Sequence, residues 1–131
     1  MPMITLQLSR PLDADTRLAV IRAVTDLTAE VLGKKRELTA LALSHVEHWS
    51  VGAEGVGVSL TAFHLDVRVT AGTNTKPEKS AYIYAVWQSL DELLGPLHPA
   101  SYIIVTDIAA DSWGYSGETQ ELRHVRARLA Q

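Results

Sequence analysis

The chain contains no cysteine. Disulfide cross-links and thiolate chemistry are therefore excluded, and its stability has to come from an apolar core. It also lacks long apolar runs: Asp, Arg, Lys or His interrupts every stretch before the roughly 18 residues that a membrane-spanning helix needs. The opening Met1-Pro2-Met3-Ile4-Thr5 has neither the basic segment nor the apolar segment of a secretory signal, so a cytoplasmic protein is expected. Neither sign of charge dominates, with 12 Lys and Arg against 15 Asp and Glu. The one short basic run is Lys34-Lys35-Arg36, and Arg123, Arg126 and Arg128 read as a solvated helix face. Neither makes the basic stripe that several phosphates require, so no nucleic-acid or membrane partner is expected. His45 and His48 stand three apart in a strand-like run and point to opposite faces, which argues against a metal site. No Ser-His-Asp arrangement, glycine-rich phosphate loop or paired-carboxylate motif is present.

What the chain does have is an internal repeat. Its 131 residues suit a single domain, 1–131. Residues 3–9 alternate apolar and polar, the pattern of a half-buried strand. Asp13 then caps a helix in which Leu18, Ile21, Val24, Leu27, Val31 and Leu32 form the apolar stripe, with Gly33 as its left-handed stop. A second apolar run, Leu38 to Val46, follows.

The second half repeats this plan. Phe63, Leu65, Val67 and Val69 alternate with His64, Asp66, Arg68 and Thr70. Thr75-Lys76-Pro77-Glu78 is a capping box with proline in the first turn, and Ile83, Val86, Trp87, Leu90, Leu93 and Leu94 supply the stripe. Gly95-Pro96 ends the helix, and Tyr102-Ile103-Ile104-Val105 reads as an interior strand.

At an offset of about 62 residues Asp13 meets Thr75 and Leu32-Gly33 meets Leu94-Gly95; after a small slip Trp49 meets Trp113. Each strand-helix-strand unit crosses over right-handed, so its two strands are parallel. The expected fold is α/β (α+β): two tandem βαβ units forming a four-stranded mixed sheet with two helices on one face. The units span about residues 2–50 and 58–117, joined by a Gly-rich linker at 51–57 and followed by a C-terminal arm at 118–131. Apolar residues on the sheet's second face would need cover, which predicts association about a symmetry axis.

Pro2 at the first strand, the duplicated unit, and Asp111-Ser112-Trp113-Gly114-Tyr115-Ser116-Gly117 after the last strand resemble the tautomerase superfamily. Members include 4-oxalocrotonate tautomerase and macrophage migration inhibitory factor. The resemblance runs to about residue 117 and implies a cofactor-free enzyme, built as a homotrimer, that acts on a small carboxylic acid. Loss of Met1 would leave Pro2 as a secondary amine, whose desolvation lowers its pKa toward neutrality and makes it a base for moving a proton between carbon and oxygen. The same resemblance makes Lys34, Tyr102, Trp113 and Arg10 the residues that bind or enclose the substrate, with Trp49 the counterpart of Trp113. Two alternatives stand beside this tautomerase reading: a decarboxylase, hydratase or dehalogenase that uses protonated Pro2 as an acid, and a non-catalytic trimeric binding module.

The sequence also departs from the family. Decarboxylase and dehalogenase members carry paired arginines at the end of the third strand, where this chain reads Ala71-Gly72-Thr73-Asn74. Positions matching the strand arginines of 4-oxalocrotonate tautomerase are Ala40 or Ala42 and Tyr102. These departures weigh against dicarboxylate and halo-acid substrates and leave room for an enol or keto acid with one carboxylate.

Overall fold

A computed structural model describes all of residues 1–131. Its central sheet has four strands: β1 (Met3–Leu8), β2 (Ala40–His45), β5 (Phe63–Thr70) and β6 (Tyr102–Ile108), in the order β2-β1-β5-β6. Helices α1 (Ala14–Leu32) and α2 (Lys76–Leu94) connect the parallel pairs β1-β2 and β5-β6. The two units meet through β1 and β5, which run antiparallel with Leu6 opposite Leu65. Two short hairpins, β3 (Ser50–Val51) with β4 (Glu54–Gly55) and β7 (Gly114–Tyr115) with β8 (Glu118–Thr119), follow β2 and β6. The chain closes with α3 (Gln120–Leu129). No helix is long and apolar enough to cross a membrane.

The local signals act as the sequence indicates. The Asp13 carboxylate accepts from the Thr16 backbone N–H at 2.8 Å and starts α1, while Gly33, at φ 68°, ends it. Thr75 and Glu78 form the reciprocal capping box of α2. Ile4, Leu6 and Leu8 of β1 and Phe63, Leu65, Val67 and Val69 of β5 face the helices and are fully buried or nearly so. Burial of this kind supplies most of the fold's stability.

The helix stripes differ in detail from the expected ones. The buried rows are Val20, Val24, Thr28 and Leu32 on α1, and Tyr82, Val86, Leu90 and Leu94 on α2. Leu18 and Ile83 are instead exposed. A layer of only two helices leaves each with an outer flank, and these residues sit on it. Thr28 and Tyr82 escape apolar-periodicity analysis because each carries a hydroxyl. The pair makes burial affordable by bonding internally: Thr28 donates to the Val24 carbonyl at 2.7 Å, and the two hydroxyls lie 2.8 Å apart.

Two further expectations are corrected. Residues Tyr102–Val105 belong to an edge strand, and Tyr102 is 61% exposed. The uncovered sheet face is also polar at its centre, where Asp66 accepts from the Thr106 hydroxyl and from Arg68 Nε. Alternation along β6 puts Ile104 on this face, and its side chain adds an apolar margin at the sheet's edge.

Burial pushes the Tyr82 phenol up to about 12, a rise partly offset by the Thr28 hydroxyl. The folded state thus favours the neutral phenol. That contribution, about 2–3 kcal/mol, is fully present below pH 10 and is lost as pH rises from the unfolded value toward the folded one. Denaturant unfolding at pH 9 and pH 11.5 should show this loss in the native protein and not in Tyr82→Phe; equal losses in both would assign it to other groups.

Candidate active site

The antiparallel β1-β5 pair brings the start of one strand beside the end of the other. Met3 stands opposite Arg68, so Pro2 lies close to Thr70 and the turn that follows it. The same end receives the start of β2, where the Ala40 N–H donates to the Pro2 carbonyl at 3.2 Å. It also receives the C-terminus of α1, and with it Lys34. Pro2 itself is buried.

A cavity of about 820 Å³ opens here. Its lining combines Met1, Lys34, Thr70 and Thr73 with Tyr115, Gln120, Arg123 and His124. Lys34 is held by the Thr73 hydroxyl, which accepts from Nζ at 2.9 Å. Asn74 ties the same turn to α1 by donating to the Leu32 carbonyl at 2.9 Å. Burial lowers the Lys34 pKa from its ordinary value, against the opposing pull of Glu78 and Asp107. The Met1 amine is lowered as well, first by burial and then by the positive charges of Lys34 and Lys35. This end of the sheet therefore disfavours a protonated amine and attracts an anion.

Trp113 lies next to this cavity without lining it. Its indole N–H donates to the Thr70 hydroxyl at 3.3 Å, and its ring borders a shallower depression of about 350 Å³ over the second hairpin. Tyr102 and Arg10 are at the opposite end of the sheet: Tyr102 pairs with His64, at the start of β5, and Arg10 follows β1. The Arg10 guanidinium is already engaged, donating to the Thr61 hydroxyl at 2.8 Å and to the Leu94 carbonyl at 3.0 Å, where it closes the C-terminus of α2. Trp49, after β2, also lies at that far end. Within one chain, then, Pro2, Lys34 and Trp113 gather, whereas Tyr102, Arg10 and Trp49 do not join them.

Residues 2–61 match the sequence model of the tautomerase enzyme family. No curated protein sequence matches the chain. Among solved structures, the wild-type fused 4-OT asymmetric trimer superimposes with a TM-score of 0.81 at 18% identity, over 92% of this chain and 98% of the other. A protein inactivated by 2-oxo-3-pentynoate gives 0.82 at 14% identity, over 92% and 98%. The macrophage migration inhibitory factor-like protein of Entamoeba histolytica gives 0.76 at 18% identity, over 90% and 97%. This is the tautomerase superfamily fold. The first βαβ unit matches the family in sequence as well; the second shares its architecture.

On this tautomerase fold the C-terminal arm supplies the cavity residues that the sequence analysis missed. Arg123, expected on a solvated helix face, is partly buried. Its guanidinium lies over the Tyr115 ring at 3.9 Å and donates to the Tyr115 carbonyl at 3.1 Å. The Gln120 amide donates to the Met1 carbonyl at 3.2 Å, next to the peptide bond whose cleavage would free Pro2. The second hairpin aims these side chains: Ser116 and Gly117 both have positive φ, as a tight two-residue turn requires, and Gly114 lies against the opposite strand. A Cβ on Gly114 would stand 2.0 Å from the Glu118 carbonyl oxygen.

Gly114→Ala should therefore open this hairpin while sparing the core, at a cost of roughly 1–3 kcal/mol. Amide exchange should accelerate at Gln120, whose N–H donates to the Trp113 carbonyl at 2.9 Å, and should stay slow in β1 and β5. Unchanged protection at Gln120 would show that the hairpin accommodates the methyl group.

Proposed function

We propose that the protein moves a proton between carbon and oxygen in a small enol or keto acid, with the Pro2 amine, freed by removal of Met1, as the base. The observation that carries this reading is that Met1, the residue joined to the buried Pro2, lines a cavity together with Lys34, so that its removal would expose the Pro2 nitrogen there. Burial and the positive charges of Lys34 and Lys35 lower the Met1 amine at this place, and the same surroundings would favour the neutral form of a freed Pro2 amine, the form that a base must have near pH 7. Lys34 faces the enolate oxygen or the carboxylate as charge develops. Trp113 supports the wall through Thr70.

The fused 4-OT structures are trimers, and the same assembly is proposed for this chain. In it Tyr102 would act on the Pro2 site of a neighbouring subunit, because within its own chain it stands at the other end of the sheet. Arg10 is left with a structural role, given its two existing bonds.

Intact mass should first show loss of Met1. In the processed protein Pro2→Ala should lower kcat/KM for ketonisation of a small 2-hydroxy-enoate by about 10²–10⁴-fold. Activity should rise with pH as the amine loses its proton, over a range below the ordinary α-amino value of about 8. Lys34→Ala removes a positive neighbour and should move that limb to higher pH. Activity that instead falls as the amine deprotonates would make Pro2 an acid. A processed protein equally active with Pro2→Ala would end the proline reading.

A further inference from the structure

We propose that Arg123, on the C-terminal helix, binds the carboxylate of the substrate in the cavity that it shares with Lys34; this rests on the active-site reading above. The third-strand exit that lines the cavity, Ala71 to Thr73, holds no cation. The cationic side chains on the cavity wall are Lys34, Lys35 and Arg123, joined by the titratable His124, with Glu121 the sole acid among them. Lys34 is taken up by Thr73 and lies toward the amine. Arg123 lines the same cavity from α3, a segment beyond the repeated units.

Its surroundings hold the side chain in place without neutralising it. The Tyr115 ring and carbonyl fix the plane of the guanidinium. Glu118 lies 3.4 Å from one terminal nitrogen, but the same carboxylate is bound more closely by Arg126, at 2.7 Å. Two cations therefore share one anion, leaving a net positive corner. Arg123 Nε is buried and has no hydrogen-bond partner. A buried N–H without an acceptor is costly, and a planar carboxylate offering two oxygens to the guanidinium edge would satisfy it. The ligand class is thus a small planar carboxylate, of which a 2-oxo or 2-enol acid is the type that Pro2 chemistry needs.

Two measurements separate this assignment from the fate of the proline reading. The first is equilibrium binding of 2-oxopentanoate to the processed protein by NMR titration, with 2-pentanone as the neutral control. Arg123→Gln should weaken the acid about tenfold or more and leave the ketone unchanged, and Arg123→Lys should recover part of the loss. Glu118→Gln, which keeps the cation and removes its anion, should bind the acid at least as tightly as the native protein. No binding of the acid by the native protein, equal binding by Arg123→Gln, or parallel losses in Arg123→Gln and Glu118→Gln would each overturn the proposal.

The second is covalent labelling by 2-oxo-3-pentynoate and by neutral 3-pentyn-2-one, followed by intact mass. The neutral Pro2 nitrogen adds to the distal alkyne carbon, one π bond breaks, the adjacent carbon takes a proton, and the mass rises by that of the whole reagent. Arg123→Gln should slow the acid about tenfold and spare the ketone. An acid effect in binding without labelling by either reagent would retain Arg123 and sink Pro2. Equal slowing of both reagents would remove Arg123 from carboxylate recognition.

Discussion

The antiparallel pairing of β1 with β5 is the contact on which the rest of this molecule depends. Each βαβ unit alone is a parallel strand pair with one helix, too small to close a core. Pairing through their first strands puts Ile4, Leu6 and Leu8 alongside Leu65, Val67 and Val69 under both helices. It also fixes the ends: because the strands run in opposite directions, the start of the first unit meets the finish of β5. Pro2, Lys34 and Thr73 converge for that reason, although Pro2 and Lys34 are 32 positions apart and Lys34 and Thr73 are 39 apart.

That geometry concentrates positive charge where the chain begins. The α1 C-terminus leaves Lys34 half-buried, the turn after β5 contributes hydroxyls, and the second hairpin swings α3 across the gap. Burial disfavours a protonated amine at both Met1 and Lys34, and the charges of Lys34 and Lys35 add to this at Met1. A small organic anion would relieve the repulsion.

The duplication extends beyond the sheet. The Val56 N–H donates to the Trp49 carbonyl at 3.0 Å, and the Gln120 N–H donates to the Trp113 carbonyl at 2.9 Å, so each unit ends in the same tryptophan-led hairpin. The turns differ. Ala53 adopts φ 64° in the first, a conformation that costs an alanine strain, whereas Gly117 takes the matching position in the second. After the first hairpin the chain goes on to β5; after the second it forms α3 and reaches Met1. One end of a pseudo-symmetric sheet thereby acquires a walled cavity, while at the other end Arg10 is spent on closing α2.

Much of this was legible in the sequence, because the deciding signals are local. Period-two alternation, Asp13, the Thr75–Glu78 capping box and Gly33 act within a few residues of themselves, so strands, helices and the duplicated plan could be read without coordinates. The places of Pro2 before β1 and of Lys34 after α1 were legible because they are fixed points of that plan, while their proposed roles came from the family resemblance. The tertiary structure alone decided the order of the strands, which made Tyr102 an edge residue, and the burial of Thr28 and Tyr82, whose hydroxyls become tolerable inside by bonding to each other and to the Val24 carbonyl. It alone also turned Arg123 from an apparent surface charge into a cavity residue. Nothing in the spacing of arginines along a helix reveals which of them meets a tyrosine ring and which meets water; that depends on a hairpin that places α3 against a residue at the far end of the chain.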